Sequence, residues 1–350
     1  MVTLNGIGVV GAGGEGRALA AYLASRGLPV HLCTRDTRVA GILKARGRLK
    51  GEFRLSLVTD DPAELLAACR VVFIATVTTA YPEVAAKLAP HLTPDHVVVL
   101  FSSKLCGSVE FSCLLRQAGV SGIDVVETDA LFAARPDGDD SVDVLGMKGW
   151  NLISGATPGA VDRHADMLTE WFPMLERARN PIERGLTDFG AVAHVPIALA
   201  NLGTIDRAED LLFYAEGLSE RTVVLLEHVE REFGAVAAAY GAKLLPMTEV
   251  LDRYYGCTTT SLLDAIRSVE PYKAIQAPQS LDHRFLREDI ASTLVPLQAL
   301  AARAGVATPM VDAAITIKSA IGRADYAASG RTLARLDWEA LSHKEILSRI

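Results

Sequence analysis

The chain has 350 residues, 50% of them hydrophobic, with 35 Lys and Arg against 42 Asp and Glu and a formal net charge of −7. That length suits two domains and leaves ample material for buried cores. The acidic balance disfavours a nucleic acid or an anionic membrane surface as partner. Five cysteines (Cys33, Cys69, Cys106, Cys113 and Cys257) form no CxxC pair. This fits reduced thiols better than a disulfide framework or a zinc knot, and no metal is expected. Residues 1–6 lack the basic start of a leader, and the longest apolar runs, such as 71–77, fall far short of the ~20 residues a membrane helix needs. The expected setting is the cytoplasm, without membrane association.

Along the first half, short apolar runs alternate with helix-like segments. Residues 7–10, 29–33, 55–58, 71–76, 97–101, 124–127 and 152–154 read as strands, and residues 14–26, 39–46, 62–68, 81–89 and 109–118 as helices. Continuous apolar strands between helices indicate a doubly wound parallel sheet covered on both faces. After about Ser154 the strand-like runs vanish. Helical patterns follow at 191–202, 211–240, 261–266, 288–304 and 309–321; in the longest, Leu218, Leu225, Leu226, Val229, Phe233 and Val236 recur at helical spacing. Asn180-Pro181 marks the expected boundary, since the residue before a proline resists helix. The expected architecture is α/β: a Rossmann-type dinucleotide-binding domain over 1–180 and an all-helical substrate domain over 181–350.

Gly11-Ala12-Gly13-Gly14-Glu15-Gly16 fits G-x-G-x-x-G. It directly follows an apolar strand and opens a helix carrying Leu19, Tyr22 and Leu23, which is the context that gives the pattern meaning. Gly11 permits the tight turn, Gly13 lets a pyrophosphate approach the backbone, and Gly16 lets helix and strand pack closely. Gly14 is counted with them. The end of the second strand discriminates between cofactors. NAD-binding folds place an acidic residue there, whereas this sequence has Thr34, then Arg35, with Arg38 nearby. A hydroxyl and a guanidinium suit a 2′-phosphate, so NADP is favoured; Asp36 keeps NAD open if the register lies two residues further on. Thr76, closing the fourth apolar run, completes the expected cofactor set.

Two segments of the second half carry residues suited to chemistry. Gly190-Ala191-Val192-Ala193-His194-Val195-Pro196 leads to Asn201, and His283-Arg284-Phe285-Leu286-Arg287-Glu288-Asp289 leads into Leu294-Val295-Pro296-Leu297. With Glu127-Thr128 and Arg135, residues 213–217, 272–278 and 305–309, all in order, they resemble the opine dehydrogenases, the octopine/nopaline dehydrogenase family, over most of the chain. The resemblance implies reductive condensation of an amino acid with a 2-oxo acid: an imine forms, and hydride from the nicotinamide reduces it to a secondary amine. It also implies His194 as acid/base, Asp289 as its carboxylate partner and Arg284 as the fork for a substrate carboxylate. An imidazole suits a reaction in which carbonyl and carbinolamine oxygens gain and lose protons near neutral pH. Glu127, Tyr255 and Thr259 join the expected substrate contacts. The partners implied are an amino acid and a 2-oxo acid, with a homodimer left open. The sequence departs from the family pattern at Asp188, Val195, Phe285 and Gly14, and has Ser102-Ser103-Lys104 where a Pro-Gly loop is common.

Blander readings compete. A lone His in an apolar helix is usually a core residue. Glu288 and Asp289 would suit a helix N-terminus, Arg284 with Glu288 a surface i,i+4 pair, and Glu127 a structural salt bridge. Arg35 and Arg38 would suit a solvated surface, and Tyr255 and Thr259 an ordinary loop. A ketopantoate reductase-like or glycerol-3-phosphate dehydrogenase-like enzyme would share the two-domain plan but rely on a lysine of the helical domain, for which Lys243 and Lys273 are the well-placed candidates. A catalytically silent NAD(P)-binding protein would keep the glycines and tolerate loss of His194.

Overall fold

The structure, a computed structural model, describes residues 6–35, 38, 39 and 41–350. It divides into two compact units: the first joins 1–103 to 111–177, and the second joins 104–110 to 178–350. The short segment 104–110 therefore belongs with the helical half of the chain.

The strands are β1 (Ile7–Val10), β2 (Val30–Cys33), β3 (Ile42–Gly47), β4 (Gly51–Arg54), β5 (Leu57–Thr59), β6 (Val71–Ile74), β7 (Val97–Phe101), β8 (Asp124–Thr128), β9 (Phe132–Pro136), β10 (Ser141–Met147), β11 (Asn151–Gly155) and β12 (Leu175–Arg177). Eight of them form one sheet in the order β12-β11-β8-β7-β6-β1-β2-β5. Pairing is parallel throughout except where β11 meets β8. The helices of this half are α1 (Gly14–Ser25), α2 (Pro62–Ala68), α3 (Tyr81–Leu88), α4 (Gly107–Gln117) and α5 (Pro158–Trp171).

Both faces of the sheet are covered, and the period-two alternation of side chains shows how. In β6, Val71 and Phe73 join the core formed with α1 and α5, while Val72 and Ile74 join the core formed with α2, α3 and α4. Burial on both faces is why these strands read as unbroken apolar runs. Phe73, Phe101, Phe132 and Phe172 pack as one aromatic cluster with ring centroids 5.9–6.2 Å apart. Burying one such ring contributes about 1.5–3 kcal/mol.

A second sheet, β4-β3-β10-β9, differs from expectation. Residues 39–46 read as a helix, yet they supply β3 (Ala40 lies outside the described residues). Leu43 and Ala45 are buried while Lys44 and Arg46 are exposed, so the true period is two, and pairing with β4 and β10 decided between the alternatives. Gly47, at φ +79°, opens the turn into β4. The strand expected at 55–58 begins later, as β5. Nor do strands vanish after Ser154: β12 pairs with β11, but its Glu176 and Arg177 are exposed and leave no apolar run.

The second unit adds α6 (Pro181–Leu186), α7 (Phe189–Ala200), α8 (Leu202–Asp206), α9 (Glu220–Ala239), α10 (Met247–Tyr255), α11 (Leu262–Ser268), α12 (Arg284–Asp289), α13 (Val295–Ala304), α14 (Pro309–Gly322), α15 (Tyr326–Ser329) and α16 (His343–Arg349). The expected helix over 211–240 is shorter. Ser219 caps α9 by accepting from the Thr222 amide at 3.2 Å, which starts the helix at Glu220. The expected helix over 288–304 is broken by a π-helical turn, Ile290–Leu294. Pro296 lacks an N–H, so the Ser292 carbonyl has no helical donor from that position. The Leu105 amide (3.2 Å) and Arg331 Nη1 (3.1 Å) donate to it instead.

The turn between β1 and α1 yields a test. A Cβ on Gly16 would overlap the Gly11 carbonyl oxygen, whereas a Cβ on Gly13 would meet no atom within 4 Å. Gly16→Ala is expected to lower the melting temperature, with an overpacking cost of about 1–3 kcal/mol. Gly13→Ala should leave it close to wild type. Equal melting temperatures in thermal scans of the two variants would contradict this reading of the turn.

Candidate active site

The first unit carries the glycine turn. Gly11 sits at φ +107°, and a Cβ there would stand 2.7 Å from the Ala75 carbonyl oxygen, so only glycine fits. Gly13 is the N-cap of α1 and provides no side-chain cap. The first-turn amides of α1 and the open space at Gly13 together make a cradle for an anion. Gly14 is small for a packing reason, since its Cβ would overlap the Ala134 carbonyl. Two neighbours that sequence reading passed over hold the turn. Arg17, 3% exposed, donates to the carbonyls of Ala12 (2.8 Å), Gly138 (2.7 Å) and Ser141 (3.0 Å). The Glu15 carboxylate accepts from the amides of Leu131 and Phe132 at 3.0 and 3.2 Å.

Thr76 follows β6 beside Gly11, and its hydroxyl is buried without a hydrogen-bond partner among the described residues. An orphaned hydroxyl beside an uncapped helix start is what a bound dinucleotide phosphate would complete, so the residues present fit that group. Thr34 is half-buried and its amide donates to Thr59 at 2.8 Å. Arg35 and Arg38 are exposed, 3.6 Å from Glu83 and 3.1 Å from Asp139 respectively. Asp36, the residue that kept NAD open, lies outside the described residues. Glu127 is fully buried in β8, in register with Leu100 and Ser154.

The helical unit carries its own cluster of candidate residues. Asp188 caps α7 by accepting from the Ala191 amide at 3.3 Å, and His194 stands on the second turn. His194 Nδ1 is 2.6 Å from Asp289 Oδ2 at the end of α12. Lys104 Nζ lies 2.6 Å from the other oxygen of Asp289 and 2.9 Å from Asp188. The set is buried: the side chains of Lys104, Asp188, Asp289 and His194 are 9%, 4%, 2% and 15% exposed. Burial alone would raise the Asp289 carboxyl, but Lys104 and His194 outweigh it and hold the group down to about 2. An ionised Asp289 requires the proton of a neutral His194 to sit on Nδ1. His194 Nε2 then carries the lone pair, and it makes no hydrogen bond among the described residues.

The Phe285 ring stacks on the imidazole at 3.9 Å and 14°. A Cβ on Gly190 would meet His194 Cε1 at 2.9 Å, so a larger residue there would press on the imidazole. Arg284 is exposed, with its guanidinium 5.7 Å over the Phe285 ring. Tyr255 is edge-on to Tyr272 at 5.7 Å. Tyr272 stacks on Tyr214 at 4.3 Å, and Tyr214 lies 6.3 Å from His194. An aromatic wall thus leads from Tyr255 to the imidazole. The Thr259 hydroxyl instead accepts from the Ser261 amide at 3.3 Å, ahead of α11. Glu288 is buried while Arg284 is exposed, so the surface-pair reading of those two does not hold. Lys243 and Lys273 are both exposed, Lys273 on Glu270 at 2.5 Å. The buried lysine of this unit's charge set is Lys104, which sequence reading had noted only as a departure from a Pro-Gly loop. A non-glycine loop at that point was the available signal.

A glycine turn on a parallel sheet and an imidazole–carboxylate pair in an all-helical unit define the class: an NAD(P)-dependent oxidoreductase. Residues 177–322 match the NAD/NADP octopine/nopaline dehydrogenase alpha-helical domain, and residues 7–102 match the ketopantoate reductase PanE/ApbA family. The chain is 26% identical over 350 residues to an opine dehydrogenase of Arthrobacter sp. (strain 1C), with 98% of each covered. Its fold is shared with octopine dehydrogenase solved with NADH and L-arginine (22% identity, TM-score 0.78, 98% and 97% covered). It is also shared with NADP+-bound yersinopine dehydrogenase (13% identity, TM-score 0.75, 96% and 98% covered). The helical unit thus matches the octopine/nopaline dehydrogenase alpha-helical domain, and the whole chain is similar to an opine dehydrogenase. Among the described residues no helix is long and apolar enough to cross a membrane.

The low Asp289 pKa has a consequence for stability. Because the folded value lies below the ordinary ~3.9, the stabilisation from the charged form is complete above pH ~4 and is lost as pH falls towards 2. Its size is about 2–3 kcal/mol. Asp289→Asn is expected to remove that part of the slope in urea unfolding measured from pH 5 down to pH 2. An unchanged slope would show that Asp289 is not held low.

Proposed function

We propose that the chain catalyses NAD(P)H-dependent reductive condensation of an amino acid with a 2-oxo acid, giving an N-(carboxyalkyl)amino acid. The observation that carries this is the imidazole fixed through Nδ1 on a buried carboxylate, with Nε2 left for a substrate. Octopine dehydrogenase has been solved with NADH and L-arginine and with NADH and pyruvate, which supports an amino acid and a 2-oxo acid as the two reactants. When bound, the nicotinamide supplies the hydride that reduces the C=N bond. Gly11, Gly13, Gly16 and Thr76 would hold the dinucleotide, with Gly14 letting α1 pack against β9.

His194 moves the protons. Its Nε2 takes a proton from the amine as nitrogen attacks the keto carbon and returns it to the oxygen, giving the carbinolamine hydroxyl; a second proton, taken up by His194 from solvent and passed to that hydroxyl, lets it leave as water and leaves the protonated imine. Asp289 fixes the tautomer and balances the imidazolium while that proton is held. Phe285 keeps the ring in one plane. Arg284 pairs with a substrate carboxylate as a bidentate fork, and Tyr255 borders the amino-acid side chain. Glu127 and Thr259 are kept as weaker substrate contacts, since one is buried in a sheet and the other is engaged in its own loop. The five cysteines are buried and form no disulfide, which suits a cytoplasmic setting.

The decisive experiment is a substrate matrix. Protein, NADPH or NADH, one amino acid and one 2-oxo acid are mixed, and loss of nicotinamide absorbance is followed. Turnover should require both organic substrates, and brisk oxidation with a 2-oxo acid alone would overturn the proposal. His194→Ala should lower kcat by about 10²–10⁴, and Asp289→Asn by much of that. The double variant should be little worse than His194→Ala, since the two act as a unit.

For the cofactor, the exposed Arg35 beside Thr34 favours NADPH. Arg35→Ala should weaken NADPH binding by about 1.5–3 kcal/mol and leave NADH binding nearly unchanged. A wild-type preference for NADH in kcat/KM would reverse the assignment.

A further inference from the structure

The dyad does not stand alone. Lys104 bridges Asp289 and Asp188 at 2.6 and 2.9 Å, so four side chains from α7, α12 and the 104–110 segment form one contiguous charge set. The backbone that delivers Lys104 is unusual. Ser102, Lys104 and Cys106 all have positive φ, at 77°, 61° and 58°, a conformation that non-glycine residues adopt only when their surroundings impose it. Two buried arginines impose it here. Arg184 Nη2 donates to the Lys104 carbonyl at 2.7 Å, and Arg331 Nη1 to the Leu105 carbonyl at 2.6 Å.

The charges of this set are unequal. One ammonium faces two carboxylates, which leaves a net charge of −1 while His194 is neutral and zero once it is protonated. Uncompensated charge in so buried a place is costly. We propose, on the basis of the function above, that Lys104 and Asp188 are positioning residues that set the proton affinity of His194 by opposite contributions. Asp188 supplies the excess negative charge that favours the imidazolium, and Lys104 limits that bias so that the proton can leave again.

The other ionisable groups facing the dyad leave this count in place. On α12, burial, Arg284 and His194 push His283 down to about 4, so it is neutral near pH 7. Burial pushes Tyr214 and Tyr272 up, so both stay neutral. Arg284 and the buried Glu288 carry opposite charges on α12 and are common to every variant below. On α9, Glu232 is engaged by the amides of Met310 and Val311 at 2.8 and 3.0 Å. On α14, Lys318 faces Asp282 at 3.6 Å.

The test is a set of histidine titrations by NMR, with the His194 resonance assigned by its absence in His194→Asn. Asp188→Asn keeps the helix cap, since asparagine caps as well as aspartate, and removes one negative charge. It should lower the His194 titration midpoint by about one pH unit. Lys104→Met should raise it by about as much. The double variant restores the charge balance and should return close to wild type, although neither contact survives. Lys104→Arg, which keeps the charge, should also stay near wild type. The limb of the pH profile of kcat/KM assigned to His194 should move in the same order.

Midpoints that move in the same direction in Asp188→Asn and Lys104→Met, or that do not move in Asp188→Asn, would refute the proposal. If Lys104→Met does not fold, Asp188→Asn and Lys104→Arg still decide it. The midpoints do not depend on turnover. A wild-type protein that made no opine would defeat the proposed reaction while the titrations still judged the charge set.

Discussion

The helical unit depends on one buried carboxylate. Asp289 is 2% exposed and accepts from His194 on one oxygen and Lys104 on the other. A carboxylate removed from water is stable only with such partners. Both partners are brought to it by other segments, so its position couples α12 to α7 and to residues 104–110. The π turn that follows belongs to the same arrangement. Pro296 leaves the Ser292 carbonyl to be taken by Leu105 and Arg331, and this fixes the backbone next to Lys104. Arg331 is tied in turn to Glu110 at 2.6 Å.

The dinucleotide-binding unit rests on contacts that are steric rather than ionic. Gly11 and Gly16 lie where a Cβ would strike the backbone at the β1–α1 turn, and Gly14 where it would strike β9 at Ala134. Of these four glycines, Gly13 has free space around its missing side chain, and it is the N-cap. The four glycines therefore serve different purposes. Gly11 and Gly16 close the turn, Gly14 lets α1 approach β9, and Gly13 leaves the helix amides open to an anion. Arg17 donates to the Ala12 carbonyl of the turn and to the Gly138 and Ser141 carbonyls where β9 turns into β10.

The resemblance to the opine dehydrogenases and the departures from their sequence pattern bear on different questions. The order of the motifs around His194, Arg284 and Asp289 carries the resemblance. The departures at Ser102-Ser103-Lys104 and Asp188 carry what is particular to this chain, because they meet in the structure. Lys104 and Asp188 are 84 residues apart in sequence and 2.9 Å apart in space. Phe285, another expected departure, stacks its ring on the His194 imidazole.

Sequence alone determined the α/β sheet, the glycine turn and the helical second half, since each rests on local periodicity or on a spacing of a few residues. It also singled out His194 and Asp289 as a pair, though only through a resemblance, because nothing in the local chemistry of two helices 95 residues apart links them. Tertiary structure decided the rest. Residues 42–46 joined a strand because β4 and β10 offered partners for a pattern whose period was ambiguous in so short a run. The π turn after Asp289 arose because a carbonyl freed by proline found donors from distant segments. Lys104 entered the charge set because two buried arginines hold its backbone in a conformation that no sequence rule assigns to lysine. Long-range electrostatics and packing act between residues far apart in the chain, and only the folded structure brings them together.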